Sequence, residues 1–189
     1  MRKIIFVTAL AATACKPPPT DADMLREVPE AKDFASAPLP SPDVTGALWA
    51  VSQTTENRLI YGVPGEASLI ALECTGSSIQ ITRNSPADEG AGAMLALVGN
   101  GHIGRLPVDA TRMGGRYFWV GEVPAMSDVW EPLAGPRELI ATVPGAGTVE
   151  LHPSPLPGAL IEACRAGEPF DPASLGEPEE PEDEPSTAP

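Results

Sequence analysis

Three cysteines (Cys15, Cys74 and Cys164) and two histidines (His102 and His152) are the residues of this 189-residue chain best suited to metal or nucleophile chemistry. A zinc or copper site needs such ligands at close spacing, and none is present, so no metal is expected. His102 follows a turn sequence and His152 precedes Pro153; neither has a nucleophile and an orienting carboxylate nearby in the chain. Both read as surface or strand-edge residues and not as parts of a hydrolytic triad. The chain has no Gly-x-Ser-x-Gly elbow, phosphate loop, His-Glu-x-x-His pair or dinucleotide fingerprint. Asp88-Glu89 lies in a glycine-rich stretch. A calcium loop would present several oxygen ligands at short spacing, so this pair reads as solvated. The expectation is a protein that is not an enzyme, with no catalytic residue and no cofactor.

Aromatic side chains are the remaining resource for recognition, because they give large contact area at low entropic cost. Trp49, Trp119, Tyr61, Tyr117 and Phe118 sit in β-forming runs and are mostly expected in the core. Trp130, flanked by Asp128, Glu131 and Pro132, reads as a loop residue exposed to solvent.

Where these residues work is set by the first fifteen positions. Arg2 and Lys3 precede an apolar run, Ile4–Leu10, and small residues lead to Cys15. The run is too short for about 30 Å of hydrocarbon, which takes about 20 residues, and has the layout of a cleaved secretion signal. Ala12-Thr13-Ala14-Cys15 resembles the lipobox of bacterial lipoproteins, with Ala12 where leucine is commonest. That resemblance implies a signal peptide over 1–14 and acylation of Cys15, whose lipid would hold the chain to a membrane. The alternative is ordinary cleavage that leaves a free thiol. Lys16 follows the cysteine where an inner-membrane retention signal would have aspartate. The implied address is the cell envelope, lipid-anchored, with the outer membrane facing the periplasm preferred to the inner membrane.

With Cys15 lipidated, Cys74 and Cys164 form an even pair in an oxidising compartment, and a disulfide is expected. Two buried reduced thiols are the alternative. The bond would close a loop of about 90 residues, worth on the order of 4–5 kcal/mol in the loop-entropy model.

Charge is distributed in blocks. The chain carries a formal net charge of −14. Cys15–Asp43 has six acidic and three basic residues, Val44–Ala166 twelve and seven, and Gly167–Pro189 eight and none. An acidic chain without a Lys/Arg cluster is repelled by phosphate backbones, which excludes nucleic acid as a partner. Residues 15–43 are proline-rich and poor in large apolar side chains, and read as a lipidated N-terminus and tether. Residues 167–189, with Glu177-Pro178-Glu179-Glu180-Pro181, read as a disordered acidic tail.

The elements that must position any site lie in 44–166. Short β-forming runs separated by Gly, Pro and Asn occur at Ala47–Ser52, Leu59–Val63, Ser68–Cys74, Ser78–Thr82, Met94–Val98, His102–Val108, Tyr117–Val123, Glu138–Val143 and Thr148–Leu151. Ile70, Leu72 and Cys74 share one strand face, as do Ile79 and Ile81. Gly99-Asn100-Gly101 predicts a type I′ hairpin, and Gly145-Ala146-Gly147 a second tight turn. Ser154 and Pro155 open a helix on which Leu156, Leu160, Ile161 and Cys164 share a face. The fold expected is all-β: a small antiparallel β-sandwich or barrel with a short C-terminal helix, flanked by disordered segments.

Two resemblances bear on function. Trp49 opening the first strand, Cys74 closing an early strand and Cys164 in a terminal helix is similar to the plan of small periplasmic β-sandwich proteins that serve envelope assemblies and secretion machines. That resemblance implies a non-enzymatic accessory domain with an envelope protein partner. Leu106-Pro107, then Gly114-Gly115-Arg116-Tyr117-Phe118-Trp119 and Gly121-Glu122, resembles the segment by which lipoprotein inhibitors of C-type lysozyme plug the enzyme's cleft. Met113 stands where that family's Ser-Gly-x-x-Tyr loop has serine. It implies an alternative role as a ligand-binding or lysozyme-inhibitor-like lipoprotein. The candidate interaction loop is Gly114, Arg116, Tyr117 and Trp119, with Trp130 beside it.

Overall fold

In a computed structural model, residues 36–175 are described. The signal segment 1–14, the lipidation candidate Cys15, most of the tether and the tail beyond Leu175 lie outside the described residues.

Nine strands form, one for each run read from the sequence: β1 (Leu48–Val51), β2 (Arg58–Gly62), β3 (Ile70–Thr75), β4 (Ser78–Pro86), β5 (Gly92–Gly99), β6 (His102–Met113), β7 (Arg116–Pro124), β8 (Leu139–Thr142) and β9 (Thr148–Leu151). They make one sheet in the order β1-β2-β3-β4-β7-β6-β5-β8-β9, antiparallel at every pairing. The meander β5-β6-β7 folds back so that β7 lies beside β4 and β8 beside β5, giving two overlapping Greek keys. β4 and β6 run several residues beyond the stretches expected, because each is paired along its extension by β7.

The sheet curls into a nearly closed barrel whose interior is filled by alternate residues of each strand. Leu59 and Tyr61, Ile70 and Leu72, Ile79 and Ile81, Leu95 and Leu97, Leu106 and Val108, and Val149 and Leu151 all point inward and are buried. The remaining seam, between β1 and β9, has no backbone ladder. His152 bridges it instead: its amide donates to the Tyr61 hydroxyl at 3.2 Å and its Nδ1 lies 2.8 Å from the Ala47 carbonyl oxygen. Trp49 and Tyr61 pack beneath, with ring centroids 5.2 Å apart.

The turns follow the sequence closely. Gly99 pairs with His102 across Asn100 and Gly101, both at positive φ, as the type I′ reading requires. Gly145 and Gly147, likewise at positive φ, join β8 to β9. Ser154 Oγ accepts from the Leu156 amide, Pro155 has helical dihedrals, and α1 (Leu156–Ala166) runs to Gly167 at φ 69°. Pro157, Leu160, Ile161 and Cys164 are its buried face. Cys164 is bonded to Cys74 at the end of β3, with 5.8 Å between their Cα atoms, so the bond pins α1 onto the sheet.

Two boundaries shift. Ser36–Asp43, read as the last part of the tether, is docked on the barrel: the Leu39 amide donates to the Gly145 carbonyl and the Thr148 amide to Ser41 Oγ. Past the helix, the Phe170 amide donates to Asn57 Oδ1, and Pro172–Leu175 forms a 3-10 turn, so the start of the stretch read as a disordered tail is folded back onto the β1–β2 turn.

Candidate interaction site

The five residues singled out as an interaction loop do not form one surface. Gly114 and Gly115 make a two-residue turn between β6 and β7, at φ 56° and 86°, with Met113 paired to Arg116. The hairpin runs past the end of the β5–β6 pairing, which stops at Asp109, so its tip projects from the barrel. Gly114 and Arg116 are exposed there and Tyr117 is half-buried. A hydrogen bond to the Glu89 carboxylate raises the Tyr117 phenol above its ordinary pKa. Trp119 is different: it faces the barrel interior opposite Arg83 and is buried.

Trp130 corrects the expectation of an exposed loop aromatic. It is 0 % exposed, and its indole Nε1–H donates to the Pro124 carbonyl at 3.1 Å. Asp128–Leu133 is a 3-10 turn capped by Ser127, whose Oγ accepts from the Val129 amide. Three residues per turn put Trp130 and Leu133 on the same face, so both plug the barrel while Asp128 stays outside. Gly104 on β6 makes this close approach work, since a Cβ there would overlap the Val129 carbonyl. The flanking polar residues signalled a loop; the i, i+3 apolar pair was the signal for burial.

The remaining candidates other than His102 have structural partners. His102 is exposed at the start of β6, and His152 is committed to the seam. Asp88 accepts from both the amide and the hydroxyl of Ser36, at 2.8 and 2.6 Å, which hold its carboxyl below the ordinary aspartate pKa. Among the described residues no three His, Cys, Asp or Glu side chains converge. A surface depression of about 580 Å³ lies between the 3-10 turn and α1, lined by Met126, Asp128, Glu131, Glu162 and Arg165. Its cation is already paired, with Arg165 donating to Glu131 and Glu162 at 2.8 Å each and to the Ala125 carbonyl.

A surface not singled out in the sequence is more open to a partner. On the outer face of β6, β5 and β8, Ile103, Val98 and Ile140 stand directly opposite one another in one row across three strands. Met94 and Pro107 pair two rows away, and Arg105 lies between them on the same face. Ile103 is 58 % exposed and Met94 47 %, while Val98 and Ile140 are half-buried between their neighbours. Arg105 is exposed and has no salt-bridge partner among the described residues. The sequence hides this row because the inward position on β6 next to Ile103 is Gly104, which leaves no apolar residue to mark the inner face there.

The open strand edges, by contrast, are blocked at their ends. The Thr148 amide that starts β9 is taken by Ser41, the His152 amide just past β9 by Tyr61, and the Ala47 carbonyl just before β1 by His152. An added strand would have to displace them. No protein-family model, curated protein or solved structure matches the chain.

Proposed function

We propose that this chain is a lipid-anchored protein of the bacterial envelope, held to the membrane through the lipid on Cys15, whose barrel is a non-enzymatic domain for binding another envelope protein. The observation that carries this reading is the outer apolar row Ile103-Val98-Ile140 with Met94 and the exposed Arg105. Arginine and methionine beside exposed aliphatic residues are the composition of interface centres. The partner's matching face would be apolar, with an acidic side chain opposite Arg105. The outer membrane, facing the periplasm, is the proposed address.

The test is co-purification from gently solubilised envelopes with Ile103→Asp as the probe. Ile103 is already exposed, so the variant is expected to keep its thermal midpoint within about 2 °C, the size of a surface effect. It is expected to lose a stoichiometric partner that the wild type retains. Retention of the same partner by Ile103→Asp would overturn the assignment of the surface. Cys15→Ser is expected to release the chain from the membrane fraction; continued membrane association would overturn the anchor.

The projecting Gly114-Gly115 tip, with Arg116 exposed, favours one second reading, a plug for a concave enzyme cleft such as that of C-type lysozyme. Lysozyme inhibition that is abolished by Tyr117→Ala and untouched by Ile103→Asp would select it.

A further inference from the structure

Three buried polar groups face one corner of the barrel and bond to nothing there. Arg83 and Trp119 stand directly opposite on β4 and β7, and Ser85 follows Arg83 on the same inward side, beside the register shift between Arg83 and Pro86. Arg83 is 4 % exposed, Ser85 3 % and Trp119 8 %. Among the described residues, Arg83 Nε, Ser85 Oγ and Trp119 Nε1 each lack a hydrogen-bond partner. The two terminal nitrogens of Arg83 are held, one by the Leu69 carbonyl at 3.1 Å and the other by the Ala146 carbonyl at 3.0 Å, which fixes the plane of the guanidinium. No carboxylate pairs with it among the described residues. An isolated buried cation is costly, and burial alone lowers the Arg83 pKa to about 10.

The segment Ser36–Ser41 lies over this corner. Ser36 bonds Asp88 in the β4–β5 loop, and three residues later Leu39 bonds Gly145 in the β8–β9 turn whose Ala146 carbonyl Arg83 holds. Pro40 and Ser41 then press on Gly147, where a Cβ would strike the Pro40 carbonyl. Ser36–Ser41 therefore strides from the β4–β5 loop to the β8–β9 turn, across the end of the barrel where Arg83, Ser85 and Trp119 lie. Every residue of the stretch is exposed, and its hold on the barrel is hydrogen bonds without buried side chains, the signature of a segment that opens at low cost.

We infer that this end of the barrel is a binding site for a carboxylate group, covered by the Ser36–Ser41 strap when empty. The free Nε–H of Arg83, the indole N–H of Trp119 and the Ser85 hydroxyl supply donors for its two oxygens. One guanidinium matches one negative charge, which selects a carboxylate monoanion over a phosphate dianion. The ligand supplies the counter-charge that the fold withholds. This site is separate from the outer row and stands or falls independently of it.

The indole N–H resonances of the full chain, read by ¹H–¹⁵N NMR during titration with sodium acetate at constant ionic strength, test the site. The Trp119 signal is expected to move saturably while those of Trp49 and Trp130 stay in place. Asp88→Asn, which loosens the strap, is expected to lower the half-saturation concentration by roughly 3- to 10-fold, because the covered state no longer competes as well. Ser85→Ala is expected to weaken binding several-fold, and Arg83→Met to abolish it. A tripeptide with a free C-terminus against its amide separates the two sources of the carboxylate. Saturation by acetate marks a small-molecule site, and saturation only by the free peptide marks a chain terminus. A Trp119 signal that no carboxylate moves, even in Asp88→Asn, would overturn the inference, as would an unchanged titration in Ser85→Ala.

Discussion

The two ends of the barrel are closed by opposite means. The end that carries α1 is sealed by apolar volume and covalency: Leu160, Ile161, Trp130 and Leu133 fill it, and Cys164 is bonded to Cys74. The end that carries the Gly114-Gly115 turn is covered by an exposed strap on a few hydrogen bonds, above polar groups left unpaired. Polar atoms without partners are tolerated where strong packing elsewhere offsets their cost.

That contrast can be broken experimentally, and the largest effect is expected at Trp130. Trp130→Ala should cost about 3–5 kcal/mol by opening a cavity where no water or side chain can follow. A loss below about 1 kcal/mol in chemical denaturation would mean that the 3-10 turn collapses to refill the space. Reduction of the disulfide, or Cys164→Ser, comes next at about 2–4 kcal/mol, below the loop-entropy figure because residual denatured-state structure and native strain reduce it. The loss should appear as one cooperative shift of the whole barrel; an early, separate transition for α1 would show that the helix is a detachable element.

The strap gives the smallest effect and sharpens the comparison most. Asp88 has a lowered folded pKa, so its contribution is present above the ordinary aspartate value and disappears as pH falls through the lowered one. Acidification through that window should lower the protection factors of the Ser36 and Leu39 amides, measured against the slower intrinsic exchange in acid, while those of β4 and β7 stay high. Uniform loss of protection across the barrel would mean that both ends form a single cooperative unit.

Much of this was legible in the chain. All nine strands were marked by alternation and turn residues, and Asn100-Gly101 and Ser154-Pro155 were read correctly because their backbone demands are local. What escaped depends on contacts between distant segments. Trp130 has polar neighbours in sequence but meets β6 in space, where Gly104 makes room for it. Arg83 continues the face of Ile79 and Ile81, but it lies past the stretch expected to be strand, and only the extension of β4 alongside β7, with Trp119 opposite, buries it. The strap looked like linker because proline-rich backbone carries no period; only the Asp88, Gly145 and Thr148 partners reveal its seat. The outer apolar row was concealed for a related reason, since an inward glycine erases the alternation that tells one face of β6 from the other.

The bond between Cys74 and Cys164 also sets how the molecule responds to a pull. Its two ends are 90 residues apart in sequence, so a chain drawn out from both termini carries the load across the sulfurs and bypasses everything between them. At about 3.3–3.6 Å per extended residue, about 300 Å of contour is withheld. The strap and the first strands can yield, β4 to β9 stay off the line of force, and only a reductant returns that length to the chain.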